Sequence, residues 1–428
     1  MLLVFNFVCY NKPMIFGKIL KDKEHYAVAL DVGTEFAKAL VFKVEDDRGT
    51  ILGVGRQRQG LSDMQGGTVT DIAAVVSNCS KALERAFEAA GVEAREVSIG
   101  IAGELVKGIT TTVHYERAKP NSKINIGELK EIIKKVQDKA IDQAYNQIAW
   151  ETGRSEIDVR LVNSAVTDVR IDGYRVINPL GFQGKDVSVS IFNAFAPLVH
   201  LSSLETIAEE LDLDLLGVTA EPYAVARAVI DKEAADFSAI FMDVGGGTTD
   251  IAVVRSGGVE GTKMFALGGR AFTKRIADNL DLPFQAAEDL KIGYSRGEVD
   301  EKSRSLVESV LKNDVDVWLA GVQLALSEFS NVDLLPSKIL LCGGGSQLPE
   351  IKQALESPEW TRELPFARRP KVSFIQPDDI LGVIDRTGLL VDPQDITPMA
   401  LASLSLDLVS EDDLIPSILR KTLEAVSN

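Results

Sequence analysis

A chain of 428 residues, 45% hydrophobic and 25% charged, has the length for two to four domains and the balance of an ordinary folded protein. Its net charge of -17 works against loose binding to nucleic acid or anionic lipid, because both reward clustered Lys and Arg. Nucleic acid is thereby excluded as a partner class, and any membrane contact must be local. Cys9, Cys79 and Cys342 form neither a Cys-x-x-Cys pair nor a disulfide framework, which suits a reducing, cytoplasmic setting. His25, His114 and His200 lie far apart without metal-ligand spacing and read as isolated structural residues.

Residues 1–10 are apolar but broken by Asn6; they are too short to span a bilayer and lack a signal-peptide layout, and Met14 is an alternative start. In residues 26–43, Ala27 to Leu30 and Ala39 to Phe42 flank Asp31-Val32-Gly33-Thr34, the pattern of a hairpin whose carboxylate-led tip offers backbone N–H groups to an anion. Residues 70–90 carry an amphipathic helix with Ile72, Val75, Val76, Cys79, Leu83 and Phe87 as its apolar positions, Thr70 as N-cap and Gly91 as stop. A strand over 97–102 completes a β, β, β, α, β order, as in a layered α/β domain.

The character changes between about 105 and 194. A Thr-rich strand leads to a long helix with Asn125 and Glu128 in a capping-box pattern and Leu129, Ile132, Ile133, Val136, Ala140 and Ala144 as one apolar stripe. Strands at 159–167, 169–177 (with an Asp172-Gly173 turn) and 187–194 make this a small inserted α+β module. A helix at 201–211 and a strand at 215–218 then lead to Ala220-Glu221-Pro222 and a further helix. Glu221 stands where strand becomes helix, a place for a side chain aimed at a cleft, or else for a plain helix-start acid.

The opening hairpin then returns in richer form as Phe241-Met242-Asp243-Val244-Gly245-Gly246-Gly247-Thr248-Thr249-Asp250, followed by Ile251 to Val254. Alone it could be an ordinary hairpin. Two Asp-led hairpins far apart in one chain suggest two similar halves, each pushing a loop at one ligand, for which a nucleotide phosphate with magnesium is the natural choice. Leu267-Gly268-Gly269-Arg270 opens a helix, and Glu288 and Lys291 share a helix face at i, i+3, the spacing of an exposed ion pair or of a binding pair. Residues 301–330 form a long helix with Leu306, Val310 and Val317 among its apolar positions. The strand at 338–341 ends in Cys342-Gly343-Gly344-Gly345-Ser346 before a helix from Leu348, so a flat ring or phosphate can lie close to the backbone. Residues 412–428 read as an amphipathic helix, suited either to a membrane surface or to docking on its own domain.

The ordered set Asp31-x-Gly-Thr34, Glu221-Pro222, Asp243 to Asp250 and Gly343 to Gly345 resembles the actin-like ATPase superfamily. That resemblance implies an α/β, two-lobed actin-like ATPase fold of ribonuclease H-like repeats, with an inserted α+β subdomain and Mg-ATP between the lobes. Within the superfamily, Met64 to Asp71, Val97 to Gly103, Asp172-Gly173, Asn178 to Gly181 and Gly184 to Val187 look like the FtsA cell-division family. It implies a first-lobe core (1A) at 24–104, continued at 195–236 and 375–410. It also implies an FtsA-type 1C or SHS2-like insert at 105–194, a second-lobe core (2A) at 237–270 and 331–374, subdomain 2B at 271–330, and a terminal helix at 411–428.

By the same resemblance Asp31 and Asp243 face the magnesium through water. Gly33, Thr34, Gly245, Gly246, Gly247, Thr248 and Thr249 bind phosphates, and Glu221 helps place the attacking water. Gly268 and Gly269 pass near the nucleotide, Glu288 and Lys291 contact ribose or adenine, and Gly343, Gly344 and Gly345 line the adenosine pocket. The implied protein binds ATP and Mg2+, hydrolyses ATP weakly if at all, self-associates into filaments, and joins FtsZ and other division proteins to the inner face of the cell membrane. A PilM-like cytoplasmic scaffold of type IV pilus assembly is the alternative. Glu35-Phe36-Ala37-Lys38 after the first Gly-Thr, and the length of the helix in the insert, depart from the FtsA pattern.

Overall fold

In the computed structural model the described residues are 24–46, 48–153, 157–230, 236–329 and 332–409, so Cys9, Met14 and the terminal helix expected at 411–428 lie outside them. The chain begins with the antiparallel run β1 (His25–Val32), β2 (Phe36–Glu45) and β3 (Arg48–Arg58). A two-residue-strand hairpin, β4 (Met64–Gln65) and β5 (Thr68–Val69), precedes α1 (Ile72–Ala90), and β6 (Glu96–Ile101) runs parallel beside β1. The N-cap of α1 is Asp71 rather than Thr70: the Asp71 carboxylate accepts the Ala74 N–H at 3.0 Å, whereas the Thr70 hydroxyl is taken by the Ser62 carbonyl. Gly91 ends the helix in the left-handed region, as expected.

The insert follows as β7 (Lys107–Glu116), α2 (Ile126–Thr152), β8 (Val159–Ile171), β9 (Tyr174–Arg175) and β10 (Asp186–Pro197). Strand β8 is continuous through Thr167 and Val169, where two strands were expected. It turns at Asp172-Gly173 into the short β9. Every residue of the α2 stripe from Leu129 to Ala144 is buried, so the stripe is core. Asn125 caps α2, but the Glu128 carboxylate is drawn to Arg117 at 2.7 Å. The first lobe resumes with α3 (Leu198–Glu210), β11 (Asp214–Ala220) and α4 (Glu221–Val229).

The second lobe repeats the plan. β12 (Ala239–Val244), β13 (Thr249–Arg255) and β14 (Gly258–Phe265) are antiparallel. Helices α5 (Gly269–Leu280), α6 (Phe284–Ser295) and α7 (Glu301–Ser327) precede β15 (Lys338–Cys342), which is parallel to β12. A 3-10 turn over Gly344–Gln347, α8 (Pro349–Glu356) and β16 (Lys371–Phe374) follow, and β17 (Val383–Asp385) and α9 (Ile396–Val409) return to the first lobe. The core face of α7 is Val307, Leu311, Val315, Trp318 and Val322; Leu306 and Val317, expected among its apolar positions, point to solvent.

The strand orders β11-β6-β1-β2-β3 and β16-β15-β12-β13-β14 are the same topology twice, so the two Asp-led hairpins are the equivalent central strands of two related sheets. The insert is built between β6 and α3 of the first lobe, yet its strand β7 pairs with β14 of the second through Gly108 and Ile109. It therefore touches both.

Candidate functional site

The tips of the two hairpins meet across one cleft. A Cβ placed on Gly247 would lie 2.6 Å from the Thr34 hydroxyl, and one on Gly246 would lie 2.9 Å from Cβ of Glu35, so the two loops leave room for backbone alone. The register of each hairpin determines what stands beside its aspartate. Asp31 on β1 faces Lys38 on β2, whose Nζ donates to Asp31 Oδ2 and to the Gln394 carbonyl, each at 2.9 Å. Asp243 on β12 faces Asp250 on β13, and Thr248 Oγ1 donates to Asp250 Oδ2 at 3.0 Å. The Thr397 hydroxyl, from the start of α9, donates to Asp243 across the lobes.

Asp31, Glu221, Asp243 and Asp250 are all buried in this cleft, where Lys38 is the cation beside them. Burial, and then the charge of Asp31, holds the Glu221 carboxyl well above its ordinary range. Burial, followed by Asp243, does the same to Asp250, and burial raises Asp243 against the lowering influence of Thr397. Burial pulls the Lys38 ammonium's pKa down, but the charge and hydrogen bond of Asp31 beside it outweigh that and raise it above its ordinary value. Asp250 Oδ1 has no hydrogen-bond partner. Such an excess of buried carboxyl oxygens is the donor chemistry of a hard cation. Among the described residues no set of three or more His, Cys, Asp or Glu is disposed to hold a metal directly.

Deeper along the cleft, Lys291 and Glu288 pair at 2.8 Å. The pair is buried, and Lys291 also donates to the Gly269 carbonyl at 2.9 Å and to Thr273 Oγ1 at 2.7 Å, which removes the exposed ion pair as an explanation. Gly343 to Gly345 form the facing wall. At the mouth, Glu35 accepts from Arg58 at 2.6 Å and, across the lobes, from Arg270 at 2.7 Å.

Of the expected site residues, Asp31, Gly33, Thr34, Glu221, Asp243, Gly245 to Thr248, Gly269, Glu288, Lys291 and Gly343 to Gly345 line this one cleft. Thr249 and Gly268 do not. The Thr249 hydroxyl points the other way, donating to the Leu267 carbonyl at 2.7 Å and accepting from Trp318 Nε1 at 3.0 Å; strand alternation sends it into the lobe core while its neighbours face the cleft. Gly268 packs behind the loop, with the Gly245 carbonyl 2.6 Å from where its Cβ would be. Asp250, which closes the second hairpin turn and was expected to offer a metal-facing oxygen, also lines the cleft, whereas Lys38, Arg270 and Thr397 were given no role from sequence. Lys38 follows from hairpin register, Arg270 adjoins the expected Gly268-Gly269, and Thr397 has no local signal.

The family model described as Cell division protein FtsA matches residues 240–382. FtsA of Pseudomonas aeruginosa is 26% identical over 341 residues, spanning 75% of this chain and 78% of that protein. FtsA of Neisseria meningitidis is also 26% identical, over 363 residues and 79% and 82% of the two chains. Among solved structures, a chain of a PilM-PilN type IV pilus biogenesis complex matches the fold with a TM-score of 0.61 at 18% identity, covering 90% of this chain and 98% of that one. No helix among the described residues is long and apolar enough to cross a membrane. By these matches the chain is similar to FtsA cell-division proteins over about three quarters of its length, and its fold, with the repeated sheet topology, is similar to that of the PilM-PilN chain.

Proposed function

We propose that this is an ATP-binding, self-associating division protein that links FtsZ filaments to the cytoplasmic face of the membrane. The observation that carries the nucleotide part is the convergence of Asp31 and Asp243, from equivalent strands of two repeated sheets, on one glycine-walled cleft. Asp31 and Asp243 hold magnesium through water, and Gly33, Thr34, Gly245 to Gly247 and Thr248 cradle the phosphates with backbone N–H groups and hydroxyls. Glu288 and Lys291 meet the ribose or adenine, beside Gly343 to Gly345. Bound magnesium would neutralise charge building on the phosphates, while Glu221 would orient the attacking water. The subdomain boundaries implied by the resemblance belong to the same reading, with the insert and residues 411–428 meeting division partners and the membrane.

Sedimentation with FtsZ and anionic lipid vesicles, with and without Mg-ATP, tests this. Nucleotide-dependent co-sedimentation with both is expected, and a chain truncated before Asp412 should lose the vesicles but keep FtsZ. The extent of the fold match to the PilM-PilN chain favours one second reading, a pilus scaffold. Capture of a PilN-type membrane protein in place of FtsZ would decide for it.

A further inference from the structure

A hydrogen bond joins the insert to the strand-to-helix junction that carries Glu221. Asn163, on β8 of the insert, accepts the backbone N–H of Ala220 at 3.1 Å through its side-chain Oδ1. Ala220 ends β11 and serves as N-cap of α4, a helix that has no side-chain cap of its own and whose first residue is Glu221. β11 is an edge strand of the first sheet, so nothing in that sheet offers the Ala220 N–H an acceptor on its outer side. A bulge in the β8–β10 ladder falls immediately before Asn163: Phe195 pairs with Leu161 and Ala194 with Asn163, leaving Val162 extra. Bulges of this kind re-aim a side chain out of the ladder.

Two neighbouring features make the placement of Glu221 tight. A Cβ on Gly100 would lie 2.6 Å from Glu221 Oε1, so the carboxylate rests directly on the β6 backbone. Ser164, next to Asn163, donates to Asn193 Oδ1 at 2.7 Å and accepts from Gln137 of α2 at 3.0 Å, which anchors this point of β8 to the long helix of the insert.

We infer that Asn163 is a positioning residue, through which the inserted subdomain fixes the strand-to-helix junction that aims Glu221 into the cleft. The inference rests on the reading of Glu221 as the group that orients water for ATP hydrolysis. Asn163 touches no nucleotide in this arrangement; its effect is on turnover rather than affinity, since a carboxylate moved by a fraction of an ångström aligns water poorly while the phosphate loops stay as they are.

The test compares the full-length wild type with Asn163→Leu, Asn163→Asp and Glu221→Gln. Mg-ATP turnover is measured beside Mg-ATP affinity and hydrogen exchange of the peptide containing residues 219–223. Asn163→Leu, which keeps the size but not the acceptor, should lower turnover about tenfold with affinity within about threefold, and speed exchange at that junction. Asn163→Asp, which keeps an oxygen there, should restore both. Unchanged turnover and exchange in Asn163→Leu, with Glu221→Gln inactive, overturns the inference and leaves the reading of Glu221 standing. Parallel loss of affinity and turnover in Asn163→Leu also overturns it, by making the bond a general scaffold contact. Turnover unaffected by Glu221→Gln, or absent in the wild type, removes the underlying reading and the inference with it.

Discussion

The glycine triplet offers a sharp test, because its members differ in what surrounds them. Gly343 has φ of 83° and ψ of 153°, in territory closed to other residues, and its missing Cβ would lie 2.0 Å from Asp243 Oδ1 and 2.5 Å from the Val244 carbonyl oxygen. Gly343→Ala therefore combines backbone strain of ~1–3 kcal/mol with a clash of ~1–3 kcal/mol that only movement of Asp243 or the β12 backbone relieves. A fall in melting temperature of about 4–24 °C follows, on a scale of roughly 2–4 °C per kcal/mol. Mg-ATP affinity should fall at least about tenfold, because the displaced group is the carboxylate proposed to face magnesium. Gly344→Ala is the control: its nearest neighbour would be Gln394 Cβ at 3.7 Å and its φ is not positive, so stability should hardly change. Differential scanning fluorimetry and calorimetric nucleotide titration read both effects. Wild-type stability and affinity in Gly343→Ala, or equal damage from Gly344→Ala, would refute the reasoning.

Asp243→Ala should abolish magnesium-dependent ATP binding, and unchanged affinity in calorimetry would remove it from the metal site. Thr249→Val should lower stability by about 1–3 kcal/mol, since it leaves the Trp318 N–H without its acceptor, while changing ATP affinity little; a large affinity loss at unchanged stability would restore Thr249 as a phosphate contact. The ligand-free protein should lose stability as pH rises above the ordinary carboxyl range. Asp250 and Glu221 have carboxyls raised above their ordinary 3.8 and 4.5, so their contribution is full below those values and is lost as pH climbs through the raised ones. Asp250→Asn should flatten that fall, and a melting temperature that rises with pH equally in both proteins would contradict it. Mg-ATP affinity should climb over the same interval, as the carboxyls must ionise to face the cation.

What the sequence made legible was whatever is carried by local pattern. Two apolar runs around Asp31 and around Asp243 imply hairpins, and hairpin geometry alone exposes the turn backbone to a ligand. The α2 stripe was legible because six apolar residues at helical spacing have nowhere to go but inward. Phase was harder: in α7 the exposed Leu306 and Val317 are as apolar as the buried Val307 and Leu311, and only the packed sheet beneath decides which face turns in. Thr248 and Thr249 are identical in kind, and strand alternation sends them to opposite sides. Least legible were partners set by tertiary closure. Thr397 reaches Asp243 across 154 positions, and Asn163 reaches Ala220 across 57, with no periodicity to announce either.

Those long-range partners bear on how the cleft can act as a switch. In the cleft Asp243 is held by a hydroxyl from the other lobe, Asp31 by Lys38, and Asp250 keeps one oxygen unpartnered. Buried carboxyls with so few cations favour their protonated forms, and a divalent cation with its phosphates reverses that preference at a stroke. Ties across the mouth, from Arg270 to Glu35, keep the lobes together in the meantime. The same charge change is felt by Glu221, whose backbone is pinned by the insert, and the insert is hydrogen-bonded to the second lobe through β7 and β14. A partner docking on the insert thus has a covalent and hydrogen-bonded route to the group that would govern turnover. The nucleotide proposed for the cleft would work on that junction from the opposite end.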